Sequence, residues 1–236
     1  MLEKFYQKMA LLESRKIIYK IAIFLKSIFG EKDPGSLNFD FSNAPTRIEI
    51  VQRIIDLKNY RSYLEIGTFK DELFSKIRCE KKIGVDPFSG GNTRMTSDDF
   101  FKQNKEKFDC IFVDGLHHYD QVKKDIENSI NCLNENGILL VHDCLPISIS
   151  AQSIPRTEVN WNGDVWKSFV EQRTKENLDC YTIFADHGVG VILKRKNRSL
   201  LNLNIKNFKK LKFIYYYKRH QEIMNIIKFN ELIKII

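Results

Sequence analysis

The sequence predicts an α/β fold, an open and mostly parallel sheet with helices on both faces, and three observations carry that expectation. The first is the stretch 109–143, DCIFVDGLHHYDQVKKDIENSINCLNENGILLVHD. Its run Cys110-Ile111-Phe112-Val113 is apolar without alternation, as in a parallel strand covered on both faces. Tyr119, Val122, Ile126, Ile130 and Leu133 then recur at the spacing of one helix face, Asn136-Gly137 reads as the helix stop, and residues 138–141 form a second buried strand. Such a unit is a right-handed crossover. It sets Asp114 and the pair His142-Asp143 at the carboxyl ends of neighbouring strands, the edge on which open α/β sheets bind ligands. The second observation is a pair of short strands ending in turns, YLEIG at 63–67 and IGVDP at 83–87. The third is a closing β-hairpin: residues 181–185 and 189–193 joined by Asp186-His187-Gly188.

Taken in order, residues 1–30 read as amphipathic helix, with Ile17, Ile18, Ile21, Phe24, Leu25 and Ile28 in a stripe between lysines. A Pro-, Gly-, Asp- and Asn-rich link follows at 31–45. Helical spacing resumes through Ile48, Val51, Ile54 and Ile55. After the first strand breaks at Gly67, a helix-like run passes through Leu73, Phe74 and Ile77. The carboxylate of Asp86 ends the second strand 21 residues after Glu65, where an acid in a Rossmann-like sheet accepts hydrogen bonds from ribose hydroxyls. Residues 145–166 form a loop with two prolines and two tryptophans that must cross the carboxyl edge of the sheet, so Arg156, Trp161, Asp164 and Trp166 are candidate substrate contacts. The aromatic faces suit a sugar or other ring, and Arg156 an anionic group.

Composition narrows the partners. Of the net charge of +8, residues 194–236 hold twelve Lys/Arg against Glu222 and Glu231, which leaves about −2 for everything before them. Basicity therefore belongs to the tail, while the predicted site is acidic and no nucleic-acid-binding motif is present, which speaks against nucleic acid and for a small-molecule or glycan acceptor. Five cysteines, an odd number without CxxC spacing, fit a reducing cytoplasm. No secretory signal and no apolar span of membrane length is visible. The lysine- and aromatic-rich tail suits docking on the protein's own sheet or in a homo-oligomer; its alternative is peripheral contact with the inner face of a membrane.

The blocks YLEIGTF, KKIGVDP, MTSDDFF, FDCIFVDGLHHYDQVKKDIENS, GILLVHDCLP and NGDVWKSF together resemble the class I S-adenosylmethionine-dependent methyltransferases, closest to a small-domain group with a DGxHxY turn. The resemblance spans about residues 41–196. It implies a Rossmann-like, doubly wound, seven-stranded sheet with an antiparallel last strand in a domain at 41–198, flanked by extensions at 1–40 and 199–236. It also implies a cofactor, S-adenosyl-L-methionine, with Glu65 and Gly67 at its methionine portion, Asp86 at its ribose, Thr96, Ser97 and Asp98 beside its adenine, and Asp114 at the strand end facing it. The sequence departs from the family's usual second glycine at Asp71, which keeps a non-catalytic binding or scaffold protein of the same fold in view.

In some relatives of this fold the equivalent strand-end acids bind Mg²⁺, and here Asp114 and Asp143 qualify as oxygen ligands. His142 stands where a third carboxylate would strengthen such a site, and imidazole favours Zn, Fe or Ni. A metal-free His/Asp base system is the other reading, with His117, His142 and Asp143 as catalytic residues and His117, nearer the strand end than His118, as the first candidate to take a hydroxyl proton. Methyl transfer to oxygen on a sugar or other polar metabolite of a glycan or natural-product pathway is the function these residues suggest, with nitrogen acceptors as the alternative.

Overall fold

The structure, a computed structural model, describes residues 30–236. The amphipathic segment expected at residues 1–30 lies outside them except for Gly30. Helix α1 (Arg47–Lys58) opens on a reciprocal cap in which Thr46 accepts the Glu49 amide and the Glu49 carboxylate accepts the Thr46 amide. It buries Ile50, Val51, Ile54 and Ile55 and stops at Asn59 in the left-handed conformation, φ 52°.

Strand β1 (Ser62–Ile66) lies between β2 (Lys81–Val85) and β3 (Phe108–Val113), parallel to both, and β4 (Leu133–Val141) continues parallel beyond β3. The hairpin formed by β5 (Leu178–Ile183) and β6 (Val189–Lys194) enters with β6 antiparallel against β4. The sequence offers six recognisable strands. The seventh, β7 (Ile226–Ile227), comes from the C-terminal extension and pairs in parallel with β5, so the sheet order is β2-β1-β3-β4-β6-β5-β7. At the opposite edge, Asn92 blunts β2. Its side chain accepts the Gly84 amide and donates to the Lys82 carbonyl, imitating a neighbouring strand.

Alternation along the strands divides the core into two layers. Ile111, Val113, Leu139 and Val141 face α2 (Ser97–Gln103), α3 (Tyr119–Cys132), α4 (Val165–Gln172) and α5 (Phe213–Met224). Cys110, Phe112, Ile138 and Leu140 face α1 and α6 (Phe229–Ile235). The tail is thus part of the core: Phe213, Tyr216, Ile223, Met224 and Leu232 are fully buried. Glu31 caps the start of α5 by accepting the Phe213 and Ile214 amides, which ties the link before α1 to the tail. Among the described residues no helix is long and apolar enough to cross a membrane. Phe213→Ala is expected to cost about 3–5 kcal/mol in a urea-unfolding titration; a loss below about 1 kcal/mol would mean that the tail does not share the fold's cooperative unit.

Two elements differ from expectation. The run through Leu73, Phe74 and Ile77 is buried but forms successive turns instead of a regular helix. Phe69 and Asp71 are left-handed (φ 44° and 62°), held by bonds from the Phe69 amide to Asp86 and from the Gly91 amide to Asp71, and a helix cannot start through them. Helix α3 ends at Cys132, short of Asn136-Gly137, because Leu133 already pairs with Phe108 and Asn134 donates to the Asp109 carboxylate at 2.6 Å.

Candidate active site

The chain runs from β1 outward to β2 and then returns to place β3 on the other side of β1, so the order reverses between β1 and β3. A crevice forms at such a point in an open α/β sheet. Gly67, with φ 86°, lets β1 end close against β3: a Cβ there would lie 2.2 Å from the Asp114 carbonyl oxygen. Glu65, one residue before the end of β1, is 2% exposed and accepts the Tyr63 hydroxyl at 2.6 Å. Burial, reinforced by the Asp114 charge, pushes its carboxyl up to about 8. A buried acid in this condition suits a cationic partner.

Asp86 is largely enclosed. One oxygen accepts the Phe88 and Ser89 amides at 2.8 and 3.0 Å, the other accepts the Phe69 amide at 2.9 Å, and Arg94 stands 3.8 Å away. It thereby locks the loop after β1 to the loop after β2, with lone pairs to spare for a ligand hydroxyl. Asp71, in the position where resemblance leads one to expect glycine, adopts a glycine-like φ and uses its carboxylate to hold the Gly91 amide at 2.6 Å. Thr96 caps α2, and Ser97 and Asp98 accept from Gln121 of α3.

At the ends of β3 and β4 the acids and imidazoles converge. Asp114 Oδ1 lies 3.1 Å from His117 Nε2 and 3.3 Å from His142 Nδ1. Asp143, at φ 62°, points Oδ2 to within 3.3 Å of His117 Nδ1 and 3.5 Å of His142 Nδ1, while Oδ1 accepts from Asn162 at 2.9 Å. His142 Nε2 reaches Asp186 Oδ1 at 3.3 Å. Burial alone disfavours both imidazolium ions, but Asp143 and Asp114 more than offset it, so His117 lies above its ordinary value and His142 well above it. Burial would raise Asp114 as well; the His142 charge and the bonds from His117 and His142 hold it far below the usual carboxylate range. Asp186 is brought to about 2, against its burial, by the His142 bond and charge with help from Arg47.

Loop 145–164 braces this cluster. Trp161 stacks on His117 with ring centres 5.2 Å apart, its indole N–H bonds the Ser153 carbonyl, and Asp164 donates its amide to the His117 carbonyl. The Asp164 carboxylate accepts the Tyr119 amide at 2.6 Å, which satisfies the first turn of α3. Trp166 is fully enclosed, bonded to Gln152 and packed on Tyr216, and so faces the core instead of the crevice. Arg156 spends its guanidinium on the Glu158 and Val159 carbonyls and arches over Trp161, shaping the loop. Sequence reasoning passed over Asp186 and Arg47. An aspartate in a hairpin turn and an arginine at a helix start carry no pattern signal, and only the fold brings them to His142.

Residues 84–144 match the family model described as a methyltransferase domain. Solved structures with a similar fold include the SAH-bound methyltransferase PaMTH1 of Podospora anserina (16% identity over 64% of this chain and 78% of that one, TM-score 0.49). They also include an SAH complex of an O-methyltransferase from Bacillus cereus (12% identity, 82% and 100% of the two chains, TM-score 0.48). A third is the O-methyltransferase TomG of Streptomyces achromogenes, in complex with SAM (12% identity, 77% and 91%, TM-score 0.48). No curated protein matches the chain. The family match runs from the end of β2 through β4, about a quarter of the chain, and takes in Asp86, Asp114, His117, His142 and Asp143.

Proposed function

We propose that the protein transfers a methyl group from S-adenosylmethionine to a hydroxyl oxygen of a small polar acceptor, a sugar or comparable metabolite. The observation that supports this most is the Asp114, His117, His142 and Asp143 cluster standing beside the reversal point where Glu65 and Gly67 end β1. Bound in that crevice, the cofactor supplies an electrophilic methyl on a sulfonium. On this reading Glu65 receives its ammonium group, Asp86 its ribose hydroxyls, and residues 96–98 line its adenine. His117, stacked under Trp161, takes the proton from the acceptor hydroxyl once it has given up its own, and Asp114 and Asp143 hold the ring in place and stabilise its charge.

The same groups fit a divalent cation. One ligand atom each from Asp114, His117 and Asp143 lie within 4.8 Å of one another, and two carboxylates with imidazole make a donor set that first-row divalent ions accept. When bound, such a cation would acidify an acceptor hydroxyl beside it. A non-catalytic binding protein of this fold is the second reading, favoured by one feature: the Asp71 and Asp86 carboxylates are already engaged by loop amides.

Calorimetry with S-adenosylhomocysteine tests the proposal first. Wild type should bind, and Asp86→Ala should weaken binding at least tenfold. Failure of wild type to bind refutes the assignment. Binding without methylation across hydroxyl and amine acceptors, followed by mass spectrometry, favours the second reading, and methylation confined to amines moves the transfer from oxygen to nitrogen.

A further inference from the structure

Asp186 lies outside the segment matched to the methyltransferase domain, yet it makes the best-braced contact to the cluster. It sits in a hairpin turn of three left-handed residues, Asp186 at φ 41°, His187 at 60° and Gly188 at 88°. Two of these are not glycine, a conformation that persists only where the surroundings impose it. Gly188 packs against Leu145, where a Cβ would come within 2.4 Å of its side chain, and the His187 carbonyl takes the Leu145 amide. The turn therefore cannot retreat. On the other side, Arg47 donates its backbone amide to Asp186 Oδ2 at 2.7 Å and brings its guanidinium to 3.5 Å from Oδ1. One carboxylate oxygen is fixed by α1, and the other is left aimed at His142 Nε2.

The opposite ring nitrogen decides what this does. His142 Nδ1 alone faces both strand-end acids, at 3.3 Å from Asp114 Oδ1 and 3.5 Å from Asp143 Oδ2, whereas His117 meets them with different nitrogens. Separations of about 3.0–3.4 Å are those of neighbouring ligands around one ion held at roughly 2.1 Å. A histidine that ligates through one nitrogen commonly donates its other N–H to a carboxylate, which sets the tautomer. We propose that Asp186 is a positioning residue which holds the His142 N–H on Nε2 and turns Nδ1 toward Asp114 and Asp143 as a nitrogen ligand. The site would therefore take an imidazole-binding divalent ion of the Zn²⁺ kind in preference to Mg²⁺. This rests on the cluster being the reaction site, but its test does not depend on turnover.

Zn²⁺ and Mg²⁺ are titrated separately into the full chain by calorimetry, in wild type, Asp186→Asn, His142→Gln and the double variant, with S-adenosylhomocysteine titrated into each. Asparagine still accepts the Arg47 amide and tolerates the left-handed turn, but its NH₂ against Nε2 moves the ring proton to Nδ1. Asp186→Asn should weaken Zn²⁺ about 10–100-fold and change Mg²⁺ less than threefold. The double variant should lose no more than His142→Gln does, since both remove one ligand. With Zn²⁺ present, which displaces the second ring proton, nitrogen NMR should place the remaining His142 proton on Nε2 in wild type and on Nδ1 in Asp186→Asn. Equal losses for both ions, unchanged Zn²⁺ affinity, additive losses or an unmoved proton would each overturn the proposal. S-adenosylhomocysteine binding should survive in all four proteins; if only that fails in wild type, the methyltransferase reading falls while the assignment of Asp186 stands.

Discussion

Glu65→Gln is expected to weaken S-adenosylhomocysteine binding by at least about 30-fold, the scale of removing one partner of a buried charge pair, and to stabilise the ligand-free protein at alkaline pH. Both effects come from one buried carboxyl. Its folded value near 8 lies above the ordinary 4.5, so between those limits the folded state holds a proton that the unfolded state has released. Stability from this group therefore falls as the pH rises from about 4.5 to about 8 and is flat beyond. Glutamine keeps a bond to the Tyr63 hydroxyl and has no charge to bury, so thermal melts of the two proteins should agree below about pH 4.5 and diverge as the pH rises toward 8 in favour of the variant. In wild type, binding a cationic amino group below pH 8 should release a proton, seen as a binding enthalpy that varies with the buffer's ionisation enthalpy. A variant that binds normally would remove Glu65 from the site.

Much of this arrangement was legible in the chain because parallel strands covered on both faces leave continuous apolar runs, and these end at the residues that matter. Cys110 to Val113 stops at Asp114, Ile138 to Val141 stops at His142-Asp143, and Ile83 to Val85 stops at Asp86. Strand ends are local facts. Partners in space are not: Asp186 reaches His142 from 44 residues away, and Arg47 reaches Asp186 from 139. The segment after β1 misled for a different reason. Its apolar spacing is helical, and Leu73, Phe74 and Ile77 are buried as that spacing demands, but the bonds that hold Phe69 and Asp71 left-handed come from the loop after β2. Trp161 and Trp166, five residues apart and alike on paper, part company for the same reason, since one stacks on His117 and the other fills the core under Tyr216. The two-residue strand β7 had no pattern to announce it, because its pairing is set by the α5 helix that delivers it.

Asp114→Asn should have the largest effect on turnover, lowering kcat/KM by roughly 10²–10⁴, the range of a positioned acid–base group. The carboxylate stands between both imidazoles, so each loses part of what raises its pKa. His117 would then shed its proton at lower pH, and the ascending limb of the pH–rate profile should move toward acid even as its plateau collapses. Stability changes in a definite window. Asp114 is depressed in the folded state, so its contribution is present above its ordinary value near 3.8 and lost as the pH falls through the folded value. His117 and His142 are raised, so theirs is full below about 6.5 and lost as the pH climbs through their folded values. The cluster is therefore most stabilising from about pH 4 to 6.5. There the variant should unfold more easily by about 3–5 kcal/mol, the cost of breaking a buried ion pair by removing one partner, with a smaller gap at pH 9. A variant that loses stability in that window but keeps its rate and pH profile would make the cluster a structural ion network and place the chemistry elsewhere in the crevice.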